Sequence, residues 1–202
     1  MLCRPCEERF GPSERYVASI ALNEEGAFPA LAKTDALVSA PGAEWSVGNA
    51  SALDCAAITY FAASVVWRQS VSTRFPKVSL GPVYGATFAE YLLGRAPFPP
   101  NARLMVEFIR PTKPPRVDRT VATFGGKRGS GYHIYQFIVF GIWFRMMVGG
   151  VLPEGLRSVS FVDTNLVLLS DGQRFLGELL ATARNTVPKG SLAHRPSRRR
   201  RK

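Results

Sequence analysis

Residues that bind metals or form disulfides are scarce in this chain of 202 residues, which has three cysteines and two histidines. So few cysteines, and an odd number of them, argue against the disulfide framework of a small secreted domain. Long apolar runs are lacking too, because the strongest, at residues 134–144, is far shorter than the roughly 20 residues that a membrane-spanning helix needs. The first residues also lack the apolar run of a signal peptide. These absences predict a cytoplasmic protein without a membrane segment.

Positive charge is abundant, with 26 basic against 15 acidic residues and a net charge of +11. Eight of the basic residues fall in residues 184–202, which leaves 18 basic against 15 acidic residues and a net charge of +3 for the rest. The final stretch, HRPSRRRRK, is typical of tails that bind polyanions by releasing counterions. Its candidate contacts to DNA or RNA are Arg198, Arg199, Arg200, Arg201 and Lys202. The alternative is a solvated chain end.

Helical periodicity marks the first half of the chain, and strand-like runs mark the second. Ser13 is predicted to cap a first helix, Asn49 or Ser51 a long one reaching residue 75, and Gly94 to end a third. Residues 28–48 are predicted to form a loop with one short element. Strands are predicted at residues 103–111, 120–125, 132–148 (as one or two strands), 157–162 and 165–170, with a last helix at 172–185.

This order of elements predicts an α+β fold, with N-terminal helices packed on a mainly antiparallel sheet from the C-terminal half. We expect a single domain over residues 13–185. An incomplete zinc knuckle at residues 1–12 would precede it, and a basic, disordered tail at residues 186–202 would follow it.

The pair Cys3 and Cys6 has the C-x-x-C spacing of half a zinc knuckle, in which two thiolates bind one tetrahedral Zn²⁺. Zinc needs two further ligands, and the candidates are Cys55, His133 and His194. Cys55 lies among Ala and Leu, where a small buried side chain is the favoured role, and His194 lies in the tail. His133 is therefore the best remaining donor. The alternatives are a redox pair, which needs a preceding strand and a following helix, a knuckle without its other half, or a disordered amino terminus.

The opening stretch LCRPCEERFGPSERYV resembles the second zinc knuckle of bacterial proteins related to HNH endonucleases. The matching residues are Leu2, Cys3, Cys6, Glu7, Phe10, Gly11, Glu14 and Tyr16. A weaker resemblance continues through YFAASVVWRQSV, SLGP and YLLG to Gly94. In that family another C-x-x-C and a histidine-containing segment come first, and the sequence here begins after them. We therefore expect the C-terminal part of a longer protein.

In nucleases of the HNH type, a histidine activates water while a divalent metal stabilises the phosphate transition state. Neither His133 nor His194 lies in a matching motif. The resemblance therefore implies a nuclease-related ancestry without an intact catalytic motif.

The glycine-rich stretch FGGKRGSGYH at residues 124–133 is not a Walker loop, which requires Gly-x-x-x-x-Gly-Lys-Ser/Thr followed by a helix. Here Lys127 precedes the second glycine cluster, and a strand is predicted to follow. The favoured interpretation is a hairpin turn with two exposed cations, Lys127 and Arg128, as candidate phosphate contacts. Arg68, beside Trp67 on the long helix, is predicted to form a salt bridge or to lie along the helix surface.

Three functions remain open on this evidence. The first is a nuclease-related, nucleic-acid-associated binding module that has lost its catalytic half. The second is an active metal-dependent endonuclease whose site is completed by His133 or by a second chain. The third is a protein-interaction domain. Whether the protein is an enzyme stays open.

Overall fold

The computed structural model describes residues 4–38, 45–72, 79–111, 122–128 and 131–171. Its helices are α1 (Arg4–Ile20), α2 (Pro29–Ala32), α3 (Cys55–Val71), α4 (Gly81–Leu92) and α5 (Phe161–Thr164). Its strands are β1 (Asp35–Val38), β2 (Trp45–Asn49), β3 (Ala102–Arg110), β4 (Ala122–Arg128), β5 (Tyr132–Val139), β6 (Ile142–Gly149) and β7 (Leu166–Asp171). The helix predicted at residues 172–185 and the tail predicted at residues 186–202 lie outside the described residues.

These strands form one sheet in the order β1-β2-β7-β3-β6-β5-β4. Hydrogen-bonded neighbours run antiparallel, except that β3 and β7 run parallel. The longer helices all come from the N-terminal half of the chain, and five of the seven strands come from the C-terminal half. The predicted α+β fold is confirmed.

Helix α1 begins at Arg4, so the predicted start at Ser13 is wrong. The helix continues through Pro12, although proline cannot donate the usual backbone hydrogen bond to the preceding turn. Packing explains the longer helix, because its buried side chains recur at helical spacing on one face: Phe10, Val17 and Ile20. Burial of this face outweighs the local cost of the proline, and residues 4–12 belong to the helical layer.

Capping residues set the start of α3 and the end of α4. Asp54 caps α3, so the predicted caps Asn49 and Ser51 are wrong. Asn49 instead lies at the start of the turn that precedes α3. Its side chain there accepts a hydrogen bond of 2.8 Å from the backbone N–H of Ser51. After α4, Gly94 has a φ of 72°, the left-handed conformation that glycine tolerates best, and this predicted helix end is confirmed.

The loop predicted at residues 28–48 is wrong in part, because α2, β1 and β2 lie in it. Both strands are short, and their pairing depends on close approach at one glycine. A Cβ atom on Gly48 would lie 2.5 Å from the Cγ2 atom of Thr34. The apolar periodicity of such short strands is too weak to predict them.

The strand predicted at residues 157–162 is also wrong, because this stretch contains a turn and the start of α5. Its buried Phe161 packs into the helix-side core. The other predicted strands are confirmed as β3, β4, the pair β5 and β6, and β7. The apolar run at residues 134–144 thus forms parts of two strands and their turn. No helix in the described ranges is long and apolar enough to cross a bilayer.

The two faces of the sheet differ in composition. On one face, the ring of Phe61 from α3 lies 6.1 Å from the ring of Phe137 and 5.5 Å from that of Phe144. Successive side chains along a strand point to opposite faces of the sheet. Glu107 on β3 and its diagonal neighbour Arg145 on β6 therefore lie on the other face, where they form an ion pair. The Arg145 guanidinium also lies 3.9 Å from the centre of the Trp143 ring. This charged pair therefore lies on the face of the sheet opposite α3, where Gln136 on β5 is the neighbour of Arg145.

We expect Glu107→Ala to lower the free energy of unfolding by about 3 kcal/mol, because it leaves the Arg145 charge without its partner. The double variant Glu107→Leu/Arg145→Met should recover most of that loss, since it removes both charges together and leaves neither one unpaired. Urea denaturation measures both effects. As a control, Glu8→Ala breaks the exposed pair with Arg4 and should cost less than about 1 kcal/mol. Equal losses of stability for Glu107→Ala and Glu8→Ala would show that the Glu107–Arg145 pair matters no more to the fold than an exposed one.

Candidate functional site

Helices α1 and α3 are held together by a cluster that we call the clamp: Phe10, Glu14, Tyr60, Trp67 and Arg68. The Phe10 ring lies 6.2 Å from the ring of Tyr60 and 6.4 Å from that of Trp67. The guanidinium carbon of Arg68 lies 5.1 Å from the centre of the Phe10 ring. A buried aromatic ring is thus enclosed by two other rings and a cation, an arrangement that favours both burial and cation–π attraction.

Arg68 is a structural residue in this clamp. Its Nη2 atom lies 2.6 Å from Oε1 of Glu14, so the predicted salt bridge is confirmed. Its Nε atom also donates to the backbone carbonyl of Ser64 at 3.3 Å. The pair ties the polar side of α1 to the last turns of α3.

Tyr16 connects α1 to the other end of α3. Its hydroxyl oxygen accepts a hydrogen bond of 2.7 Å from the backbone N–H of Asp54. The Asp54 carboxylate in turn accepts from the backbone N–H of Ala57 at 2.9 Å. Three positions of the family resemblance, Phe10, Glu14 and Tyr16, thus make contacts between the same two helices. Those contacts give these three residues a structural role.

A groove of about 410 Å³ lies beside the clamp, between α1, the first turn of α3 and α4. Its lining residues are Pro12, Ser13, Tyr16, Asp54, Ala56, Ala57, Tyr60 and Tyr91. They combine three phenol rings and one carboxylate with no basic side chain. Burial raises the pKa of Tyr60, and it raises the pKa of Tyr91 to about 12, so both phenols are neutral near pH 7. The groove can hold a cationic or donor-rich group.

The predicted zinc ligands do not come together in the described part of the chain. Cys6 lies in the first turn of α1, half-buried against the core, and Cys3 and His194 lie outside the described residues. Among the residues that are described, no three His, Cys, Asp or Glu side chains are placed to hold a metal ion. At the start of α1 the described residues supply one candidate thiolate, that of Cys6. Zinc needs four ligands, so the described residues alone do not form a complete site. The zinc site stays a prediction.

The two other candidate ligands have separate surroundings. Cys55 is the first residue of α3 and half-buried, and its Sγ donates to the carbonyl of Ala50 at 3.4 Å. Burial, with a smaller contribution from the Asp54 charge, raises the pKa of its thiol and so disfavours the thiolate. His133 is exposed on β5, and its ring stacks on that of Tyr135 with centres 6.2 Å apart.

The predicted nucleic-acid contacts Lys127 and Arg128 lie on strand β4, so their placement in a turn is wrong. In the antiparallel pairing of β4 with β5, Lys127 lies opposite Ile134 and Arg128 opposite His133. Strands β4 and β5 form the predicted hairpin. The glycine-rich stretch is thus followed by a strand, β5, whereas a Walker loop would need a helix there. The contacts predicted in the tail (Arg198, Arg199, Arg200, Arg201 and Lys202) lie outside the described residues.

Sequence reasoning missed a second basic segment, residues 110–128, which joins β3 to β4 and includes β4. It holds six basic residues and one acidic residue. Without this segment and residues 184–202, the chain has 12 basic and 14 acidic residues. The basic residues beyond Lys127 and Arg128 are Arg110, Lys113, Arg116 and Arg119. A running charge count along the chain would have found them.

Comparison with protein-family models, with curated proteins and with solved structures finds no match to this chain. The resemblance to HNH-related proteins therefore stays a prediction from the residues at its start.

We expect Phe10→Ala to lower the free energy of unfolding by about 3–5 kcal/mol, because it removes the ring at the centre of the clamp. Urea denaturation followed by tryptophan fluorescence measures the change, since Trp67 contacts that ring. The matched control is Val83→Ala on α4, where the side chain is 71% exposed and the loss should stay within about 0.5 kcal/mol. If Phe10→Ala cost no more than the control, the clamp would not stabilise the domain.

Proposed function

We propose that this protein is a nuclease-related, nucleic-acid-associated binding module that contacts phosphates through two basic segments, residues 110–128 and 184–202. The distribution of charge carries the proposal. The positive net charge comes from these two segments, whereas the rest of the chain has a small excess of acidic residues. Concentrated positive charge binds the nucleic-acid backbone mainly by counterion release, without reading base sequence.

The position of β4 supports the first basic segment as a contact surface. β4 ends the strand order of the sheet, so one side of its backbone has no neighbouring strand among the described residues. Arg110 ends β3 and is exposed, and Lys127 and Arg128 end β4. The basic segment therefore starts at an exposed strand end and reaches the edge of the sheet, where a rod-like polyanion can approach.

The proposal covers binding and no catalytic step. The nuclease alternative requires a metal site completed by His133 or by a second chain, and no observation on the described residues favours either. The protein-interaction alternative makes a different prediction, because it requires no affinity for DNA or RNA at low salt.

We expect the full chain to bind a short DNA duplex and a short RNA, with affinity falling steeply between about 50 and 200 mM salt. Lys127→Ala/Arg128→Ala should reduce the slope of log K against log salt by about 2 if both side chains contact phosphates. Deleting residues 195–202 removes six cations and should reduce that slope by up to about 5. Fluorescence anisotropy titrations at several salt concentrations measure each slope.

Lys33→Ala/Arg157→Ala is the matched control, because it removes two exposed cations outside both segments. Its slope should equal that of the unchanged chain. Lysines and arginines at a sheet edge can also serve to prevent strand pairing, and in that case Lys127→Ala/Arg128→Ala would bind as tightly as the control. Unchanged affinity in both test variants, or no binding at low salt, would refute the proposal.

A further inference from the structure

The groove beside the clamp offers acceptors and aromatic rings. In Asp54 the Oδ1 atom accepts from Ala57, and no hydrogen bond to Oδ2 is formed within the described ranges. The hydroxyl of Tyr60 donates to the carbonyl of Leu92 at 2.8 Å, which fixes the ring against α4. The rings of Tyr60 and Tyr91 lie 5.9 Å apart. The groove therefore presents a carboxylate beside two fixed phenol rings.

An anion is poorly matched to this groove even though α3 begins there. The backbone N–H groups of Asp54, Ala57 and Ile58 already donate within the protein, to Tyr16 and to Asp54 itself. A phosphate would meet the Asp54 carboxylate with few free donors to hold it. Arg9 is a cation that acts on the Tyr60 hydroxyl, and its Nη1 atom donates to the carbonyl of Leu93 at 3.0 Å.

A guanidinium group fits the same features. The neighbouring clamp already combines an arginine, an aromatic ring and a carboxylate, in Arg68, Phe10 and Glu14. The groove repeats the ring and the carboxylate in Tyr60 and Asp54 and lacks the cation. Cation–π attraction and a charge-assisted hydrogen bond would both stabilise an arginine there.

We infer that the groove binds the arginine-rich segment 195–202 of its own chain. This segment holds six of the basic residues and no acidic one, which complements the carboxylate of the groove. With the predicted helix at residues 172–185, the 23 residues 172–194 that precede it can span about 50 Å, beyond the radius of gyration of about 17 Å of a domain this size. An attached segment is also present at a high effective concentration.

The consequence rests on the proposed function: an arginine side chain held in the groove cannot contact a phosphate at the same time. A tail held in the groove lowers the affinity for nucleic acid, and a polyanion releases it. The groove is thus an internal competitor for one of the two basic segments.

The direct test titrates a peptide of residues 194–202 into the chain that lacks residues 195–202, by calorimetry at low salt. Asp54→Asn in that chain should weaken peptide binding about tenfold, because it removes the carboxylate charge while asparagine still caps α3. The matched control is Asp35→Asn, which removes an exposed carboxylate on β1 and should bind the peptide as the parent does. A second variant, Tyr91→Leu, removes a ring without touching the cap and should also weaken binding.

In the full chain, Asp54→Asn should tighten binding to a DNA duplex, whereas Asp35→Asn should not. No peptide binding, or equal binding by Asp54→Asn, Tyr91→Leu and Asp35→Asn, would overturn the inference. The peptide titration contains no nucleic acid, so its failure refutes the groove as the tail site. Failure of the proposed function would show separately, as loss of DNA and RNA binding by the unchanged chain.

Discussion

The ring of Phe10 is the contact on which the helical layer depends. It lies between α1 and α3 and is enclosed by the rings of Tyr60 and Trp67 and by the Arg68 guanidinium. Burial of this ring explains why α1 is helical from Arg4 despite the proline within it. It also fixes the spacing of α1 and α3, and the groove between them and α4 exists because of that spacing. This helical layer packs against one face of the sheet through α3.

The sequence predicted those elements that have a long apolar pattern and missed those that depend on tertiary contacts. Long apolar runs predicted α3, β3, β5 and β6, because periodicity over eight or more residues is a strong signal. The short strands β1 and β2 depend on tertiary contacts such as the close approach at Gly48, which leave no local pattern. The groove was not predicted, because Tyr16, Asp54 and Tyr91 lie on three helices whose packing no local motif encodes.

The charge of the chain and its packed core are largely separate. The helical layer contains ion pairs such as that of Glu14 with Arg68, whereas the excess of cations falls in residues 110–128 and 184–202. Paired charges of this kind contribute to structure, whereas a local excess of cations creates a positive potential that attracts a polyanion. This separation links the fold to the proposed function, because the core can be stable whether or not nucleic acid is bound.

Photo-crosslinking to a DNA duplex that carries a photoreactive base, followed by mass mapping of peptides cut after glutamate, would show which parts of the protein contact nucleic acid. It locates contacts on the protein without relying on variants. If the proposed function is right, the crosslinks fall in the peptides 108–154 and 179–202, and fragmentation places them within residues 110–128 and 184–202. Crosslinks confined to α1, α3 and α4, at the tyrosines of the groove, would contradict it, because the helical layer and not the basic segments would then bind the nucleic acid.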